Sequence, residues 1–358
     1  MGLKYALIGC GRISNKHIEA AKHNGFHIIA LCDIEIEKAR QQTFSHKLSA
    51  NCYSDYKKMI CDCPEIEIIA IATTSGSHAE IAIYCIEQHL NVIIEKPIAL
   101  SLLEARQIVD LSIRKKVTVS VCHQNRFNFA IQKLKQAICT NRFGKISHGG
   151  IRVLWNRDKE YYKQASWRGT WEDDGGCMMN QCIHGVDLLI WMFGDVKSIY
   201  GCIRNRIHDE IEAEDVGLAI VEFRNGVIAT IEGTTNVYPA NLEEALYVFG
   251  EKGTVKIGGK SATSVDIWEF DDYLVEDDEI KTIDEKTQNI YGNGHKRLYK
   301  DVKNAIIEKR QPFITAVDGY KALEVILSIY LSTKIGEKVQ LPYDDFDTKS
   351  MIGVFENE

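Results

Sequence analysis

The sequence has no apolar run approaching the ~20 residues that a membrane-spanning helix needs, so no membrane partner is expected. It has no basic excess either. The formal net charge is −7, which argues against a nucleic-acid footprint spread over the whole surface. No cysteines stand in a CxxC pair, and their number, eleven, is odd. Unpaired spacing of this kind fits reduced thiols and a cytoplasmic setting. Cys61 and Cys63 are too close together for the usual zinc spacing, so no metal site is expected. The start, MGLKYALIGCGRI, runs straight into a glycine loop with no small-residue cleavage site, unlike a signal peptide. Internal repeats and low-complexity segments are lacking. The acidic run Glu276-Asp277-Asp278-Glu279 reads as a solvated loop.

What is present is a soluble globular composition, 45% hydrophobic and 26% charged, over 358 residues, a length that calls for two domains. Apolar stretches at 3–8, 26–32, 66–72, 91–95 and 117–122 read as strands. Helical patterns at 13–23, 35–43, 78–89 and 101–115 separate them. This alternation predicts a parallel sheet with crossovers, and the continuous apolar runs fit strands buried on both faces. After about residue 123 the pattern changes to longer strands at 146–155, 197–205, 214–223 and 226–236, and residues 245–258 add more strand and a Gly-rich turn. Asn225-Gly226 supplies a hairpin signal between two of them. Helices are expected at 178–193, 294–309 and 318–335. The fold class that follows is an α/β Rossmann domain, residues 1–123, and an α+β domain with a large, mostly antiparallel, open-faced sheet, residues 124–358.

Three places carry chemistry. Gly9-Cys10-Gly11-Arg12-Ile13-Ser14 follows the first strand and opens a helix. The first glycine permits a tight turn, and the second lets a pyrophosphate approach the helix N-terminus. Ser14 replaces the usual third glycine or alanine. Asp33 ends the second strand, where a carboxylate accepts hydrogen bonds from a ribose and repels a 2′-phosphate. No Lys or Arg follows until Lys38, so NAD is favoured over NADP. Capping of the next helix is the alternative role for Asp33. Glu95-Lys96-Pro97 ends the fourth strand and puts a lysine at the carboxyl edge of the sheet, where ligands bind in open α/β folds. A plain surface lysine is the alternative. In the 178–193 helix, Asn180, His184 and Asp187 are spaced to share one face. His184 reads either as a general base or as a core histidine held by Asp187.

The joint order of GCGRIS, Thr73-Thr74 with His78, EKP at 95–97 and Asn180…His184…Asp187 resembles the Gfo/Idh/MocA oxidoreductase family over nearly the whole chain. Tyr161-Tyr162, Trp167-Arg168-Gly169-Thr170-Trp171, Gly175-Gly176 and Met179-Asn180-Gln181 are similar to the UDP-N-acetylglucosaminuronate 3-dehydrogenase type within it (WlbA/WbpB-like). The resemblance implies that Lys96 and His184 are catalytic and flank the reacting carbon. It assigns the NAD cofactor to Gly9, Gly11, Arg12, Ile13, Asp33, Thr73, Thr74, His78, Glu95, Lys96 and Asn125. It assigns substrate to Arg157, Tyr161, Tyr162, Arg168, Asn180 and His184. It further implies a small-molecule nucleotide-sugar substrate, oxidation of its 3-hydroxyl on the way to 2,3-diamino sugars of surface glycans, and a homo-oligomer, tetramer or dimer. Many inositol-dehydrogenase-like relatives carry Asp where this chain has Asn180, which removes a carboxylate from any proton relay.

A separate charge argument points to an anionic substrate. Residues 152–171 hold five basic side chains against two acidic ones, in a chain of net charge −7, with five aromatics interleaved. Guanidinium groups grip carboxylate or phosphate in bidentate fashion. The alternatives are a dehydrogenase of a neutral sugar or inositol, and a non-catalytic NAD-sensing regulator. The regulator reading calls for loss of the lysine–histidine pair, and both residues are present.

Overall fold

The computed structural model describes residues 2–285 and 293–356. Its first sheet is built from short apolar strands, β1 (Lys4–Ile8), β2 (His27–Cys32), β3 (Asn51–Tyr53), β4 (Ile68–Ile71), β5 (Asn91–Ile94) and β6 (Val119–Val121). Every pairing is parallel, and the order is β3-β2-β1-β4-β5-β6. The crossovers carry α1 (Ser14–His23), α2 (Ile36–Ser45), α3 (Tyr56–Asp62), α4 (His78–Glu87) and α5 (Leu102–Lys115). Strands β4 and β6 are buried along their whole length, as their unbroken apolar sequences demand. The strand order reverses between β1 and β4. That reversal opens a crevice at the carboxyl ends of those strands.

The second unit begins with α6 (Phe129–Cys139) and β7 (Ile146–Leu154), followed by α7 (Lys159–Lys163), α8 (Ile183–Phe193), β8 (Val196–Arg204), β9 (Val216–Phe223), β10 (Ile228–Thr234), β11 (Glu243–Gly250), β12 (Gly253–Gly258), β13 (Ser264–Phe270) and α9 (Glu276–Ile280). The chain continues through α10 (Gly294–Glu308) and α11 (Ala316–Ile335) to β14 (Val339–Gln340). Eight strands form one sheet in the order β13-β12-β11-β7-β10-β9-β8-β14. All pairs are antiparallel except β10 with β7. Helix α8 lies close on the inner face: a Cβ on Gly185 would come within 2.5 Å of Ile151 Cγ1. On the opposite face Tyr200, Leu218, Ile220 and Ile228 are exposed, and Tyr200 pairs directly with Ile220 across β8 and β9.

The strand and turn expected at 245–258 form a hairpin of β11 and β12, with Glu251-Lys252 between the strands. Two other expectations are corrected. The first compact unit is 1–122 together with 293–320, so the segment carrying α10 leaves the expected 124–358 domain. Its apolar stripe explains this: Leu298, Tyr299, Val302 and Ala305 are fully buried, and Tyr299 packs on Tyr5 and Phe26 of the first unit. The acidic run at 276–279 is helical, and Asp277 is buried. Its carboxylate takes two bonds from Arg142, at 2.7 and 2.9 Å, and one from the Trp268 indole at 2.7 Å.

The Arg142 guanidinium holds the Asp277 carboxyl well below the usual carboxylate range. A depressed pKa contributes stability above the unfolded value of about 4 and loses it as pH falls below. Asp277→Asn is expected to lower unfolding free energy at pH 7 by about 3 kcal/mol, as for breaking a buried pair. The gap to wild type should narrow as the pH falls below about 4, read by urea unfolding across pH.

Candidate active site

The glycine loop is shaped by contacts at both ends. Gly9 has φ +94°, and a Cβ there would lie 2.4 Å from the Ala72 carbonyl, so only glycine fits. Gly11 is the opposite case: a Cβ would meet nothing within 4 Å, which leaves the loop open to a ligand. Ser14 fills the third position by donating its hydroxyl to the Gly11 carbonyl at 2.5 Å. Arg12 is exposed and Ile13 precedes the first turn of α1. Asp33 accepts from the Cys10 backbone N–H at 2.8 Å and from the Glu35 N–H at 2.9 Å. It therefore ties the end of β2 to the glycine loop, and both its expected role and local turn-making draw on the same side chain. A carboxylate has about four lone-pair sites, so capacity for a ribose remains.

At the carboxyl edge of β4, Thr73 and Thr74 lead to His78. The His78 ring lies between the Pro97 and Thr73 carbonyls, 2.7 and 3.3 Å from its two nitrogens. Burial pushes this imidazole down in pKa, toward the neutral form. The Lys96-Pro97 peptide is cis, and Lys96 is partly exposed. Glu95 is only 7% exposed, and its carboxylate faces the protein. One oxygen meets the Nε2 atoms of His17 and His295, each at 3.0 Å, and the other accepts from the Lys96 backbone N–H at 3.2 Å. Burial opposes ionisation of Glu95, but the bonds from His17 and His295 outweigh it and hold the group well below the usual carboxylate range. His17 is on the buried side of α1 expected from sequence. No sequence signal connects His295 to residue 95.

In the second unit the expected helix at 178–193 does not start as an α-helix. Met178–Cys182 wind as a π-helical turn before α8, which alters the register between Asn180 and the residues after it. Asn180 donates to the Asp174 carboxylate, whose other oxygen accepts from Gly169 N–H. Asp187 takes a bidentate pair from Arg126, at 2.8 and 2.6 Å, with both side chains buried. Arg126 thus holds Asp187 in the interior of the second unit. His184 is buried, with the His123 ring edge-on at 6.0 Å. Asn125 donates to Glu244 at 3.3 Å. Burial pushes the Glu244 carboxyl up to about 8, against the Asn125 bond. Glu214 is also pushed up to about 8 by burial. It accepts from Met178 N–H at 2.8 Å and Tyr330 OH at 2.9 Å, anchoring the start of the π turn. Gly176 permits this, since a Cβ there would lie 2.0 Å from Glu214 Oε2.

The basic aromatic stretch resolves into two classes. Arg152 pairs with Glu232, Lys159 with Asp209 and Glu210, and Lys163 with Glu160. Arg157 and Arg168 form no ion pair among the described residues. Their guanidinium carbons lie 5.0 and 4.4 Å from the centre of the Tyr161 ring. Arg157 also lies over Trp155 and Arg168 over Trp167, and Arg168 donates to Tyr161 OH at 2.7 Å. The Nε atoms of both arginines are buried without a hydrogen-bond partner. Tyr162, the other tyrosine of the expected substrate group, sits deeper. It is buried, and its hydroxyl sits 3.1 Å from Thr235 Oγ1.

Residues 3–123 match the family model described as "Oxidoreductase family, NAD-binding Rossmann fold", and residues 131–256 match "GFO/IDH/MocA C-terminal domain". The chain belongs to the Gfo/Idh/MocA oxidoreductase family. It is 35% identical to the WlbA dehydrogenase of Bordetella pertussis, solved in complex with NADH and UDP-GlcNAcA, over 96% of this chain and 99% of that one, with a TM-score of 0.91. For the WlbA dehydrogenase of Chromobacterium violaceum, solved with the same two ligands, the identity is 34%, the coverages are 96% and 97%, and the TM-score is 0.88. The D-apiose dehydrogenase of Paraburkholderia graminis is 28% identical over 264 residues, 71% of this chain and 67% of that one. No helix among the described residues is long and apolar enough to cross a membrane.

The first unit of this Gfo/Idh/MocA protein is an NAD-binding Rossmann domain. Its residues fit a dinucleotide: the Gly11 side of the loop is open, α1 begins directly behind it, and Asp33 stands at the end of β2. Because Asp33 is an anion where a 2′-phosphate would lie, NAD is expected to bind at least about tenfold more tightly than NADP, about 1.4 kcal/mol. Titration of both cofactors by intrinsic fluorescence checks this, and Asp33→Ala should narrow the gap. Equal affinities for wild type would remove the ribose role of Asp33.

Proposed function

We propose that this protein oxidises the 3-hydroxyl of a UDP-N-acetylglucosaminuronic acid-type nucleotide sugar with NAD. One observation carries the reading. Arg157 and Arg168 flank Tyr161 without a carboxylate partner among the described residues, while the other basic side chains of the same stretch are paired. An anionic ligand completes such an arrangement, and the Trp155, Tyr161 and Trp167 faces suit a sugar or base. The similarity to WlbA dehydrogenases crystallised with NADH and UDP-GlcNAcA supports the same substrate class. The 3-keto product is the form an aminating enzyme needs for making 2,3-diamino sugars.

NAD, when bound, accepts hydride from the sugar carbon. His184, a buried imidazole, takes the hydroxyl proton as general base. Lys96 places a positive charge beside the developing alkoxide. Asn180 does not titrate, and its bond to Asp174 fits it to orient substrate rather than carry a proton. The exposed apolar row Tyr200, Leu218, Ile220 and Ile228 on the open sheet face supports a homo-oligomer.

Similarity to D-apiose dehydrogenase keeps a neutral sugar as the second reading. Calorimetry separates the two. Arg168→Ala is expected to weaken UDP-N-acetylglucosaminuronic acid by about 10- to 100-fold, as for loss of a charge-assisted bond, and to leave NAD affinity nearly unchanged. An unaltered sugar-nucleotide affinity favours the neutral sugar. In steady-state kinetics, His184→Asn should lower kcat by ~10²–10⁴-fold. Lys96→Met should lower it by ~10²–10³-fold, with NAD still bound. Turnover of either variant within about threefold of wild type would contradict the lysine–histidine mechanism. Light scattering on the purified protein is expected to give the mass of a dimer or tetramer. Leu218→Lys with Ile220→Lys should reduce it to the monomer.

A further inference from the structure

The buried cluster behind Lys96 belongs neither to the glycine loop nor to the substrate stretch. His17 comes from α1, Glu95 from the end of β5, Cys122 from just past β6 and His295 from the first turn of α10. All four are buried, and their donor atoms lie within 4.8 Å of one another. These are metal-binding residue types, and hydrogen bonds among them converge on the Glu95 carboxylate. The Glu95 carboxylate receives His17 Nε2, His295 Nε2 and the Lys96 N–H. With Nε2 of His17 donating to the carboxylate, its Nδ1 accepts from Tyr299 OH at 2.6 Å, and Tyr5 OH donates to Tyr299 at 3.0 Å. The links among Tyr5, Tyr299, His17, Glu95 and His295 are buried, so rearrangement at any of them exposes an unsatisfied polar atom, which costs free energy.

We infer that His17 and His295 are positioning residues that hold the Glu95 carboxylate against the backbone N–H of Lys96 and so fix the lysine at the carboxyl edge of the sheet. Pro97 has no N–H of its own, so the Glu95–Lys96 contact is the last backbone hydrogen-bond donor before the chain leaves β5. The fixing residue His295 arrives from a segment 200 residues later in the sequence. The interaction acts on geometry, and misplacement of a catalytic group by about 1 Å costs on the order of 10²-fold in rate. This inference rests on Lys96 acting in the chemistry, as proposed above.

The test compares His295→Leu with His295→Gln, each in the wild-type and Lys96→Met backgrounds, using NAD and UDP-N-acetylglucosaminuronic acid. Glutamine carries an N–H near the Nε2 position and leucine carries none. His295→Leu is expected to lower kcat by about 10- to 100-fold with NAD affinity nearly unchanged, and His295→Gln should recover most of that loss. In the Lys96→Met background His295→Leu should add no further loss, because the group it positions is gone. Hydrogen exchange gives a readout independent of turnover. The Lys96 amide should exchange at least about tenfold faster in His295→Leu than in wild type, and near the wild-type rate in His295→Gln. Additive losses in the double variant, equal damage by leucine and glutamine, or unchanged Lys96 exchange would each overturn the inference. So would one tightly held Zn²⁺ per chain in the purified wild type that His295→Leu releases, since the cluster would then be a metal site. Failure of Lys96→Met alone to slow turnover rejects the proposed chemistry instead, and leaves the exchange result to decide the positioning.

Discussion

Burying a carboxylate removes its hydration, and the folded chain must either supply donors or give up the charge. This protein does both. Glu95, Asp187 and Asp277 are supplied. Glu95 is surrounded by two imidazoles and a backbone N–H, Asp187 takes both arms of Arg126, and Asp277 takes Arg142 and an indole. Glu214 and Glu244 take their bonds from uncharged donors, and burial pushes both up to about 8, which favours the protonated form. The same demand bears on the proposed site, because three of these groups hold segments that the proposed function uses. Glu95 holds Lys96, Glu214 holds the first residue of the π turn before His184, and Asp187 secures Arg126 beside the Asn125 turn.

Against that pattern, Arg157 and Arg168 stand out. They are charged, partly shielded by Trp155, Tyr161 and Trp167, and lack a carboxylate among the described residues. Guanidinium is weakly hydrated and stacks on aromatic faces, so it tolerates this setting better than an ammonium group does. Such an arrangement suits the anionic substrate proposed above, since aromatic walls lower the local dielectric around a guanidinium–anion contact. The π turn adds a second element of pre-organisation. It is held from three sides, by Glu214 at Met178, Asp174 at Asn180 and Tyr161 at Gln181, and α8 continues from it with His184 in its first turn.

Much of the fold was legible in the chain itself, because buried parallel strands and amphipathic crossovers leave opposite signatures. The strands of the first sheet other than β3, with α4, α5 and α10, fall within a few residues of where apolar runs and helical spacing put them. The hairpin at Asn225-Gly226 followed from its turn chemistry, with Gly226 at φ +90°. The misses share a cause. Short edge strands such as β3 and β14 carry two or three residues, too few for a periodicity to register. Asp277 looked solvated because an acidic run is indistinguishable from a surface loop until Arg142 and Trp268 are brought to it from 135 and 9 residues away.

The sequence by itself determined the dinucleotide-binding half, the position of its glycine loop and terminal aspartate, and the residues that could do acid–base chemistry. Those depend on local spacing, which is written in consecutive residues. Only the tertiary structure decided what each polar group is doing: that Asp187 belongs to Arg126, that Tyr162 is core while Tyr161 is flanked by guanidiniums, that the π turn changes the register behind Asn180, and that His295 completes a cluster with His17 and Glu95. Each of those depends on which groups lose water together, and desolvation is set by neighbours distant in the chain.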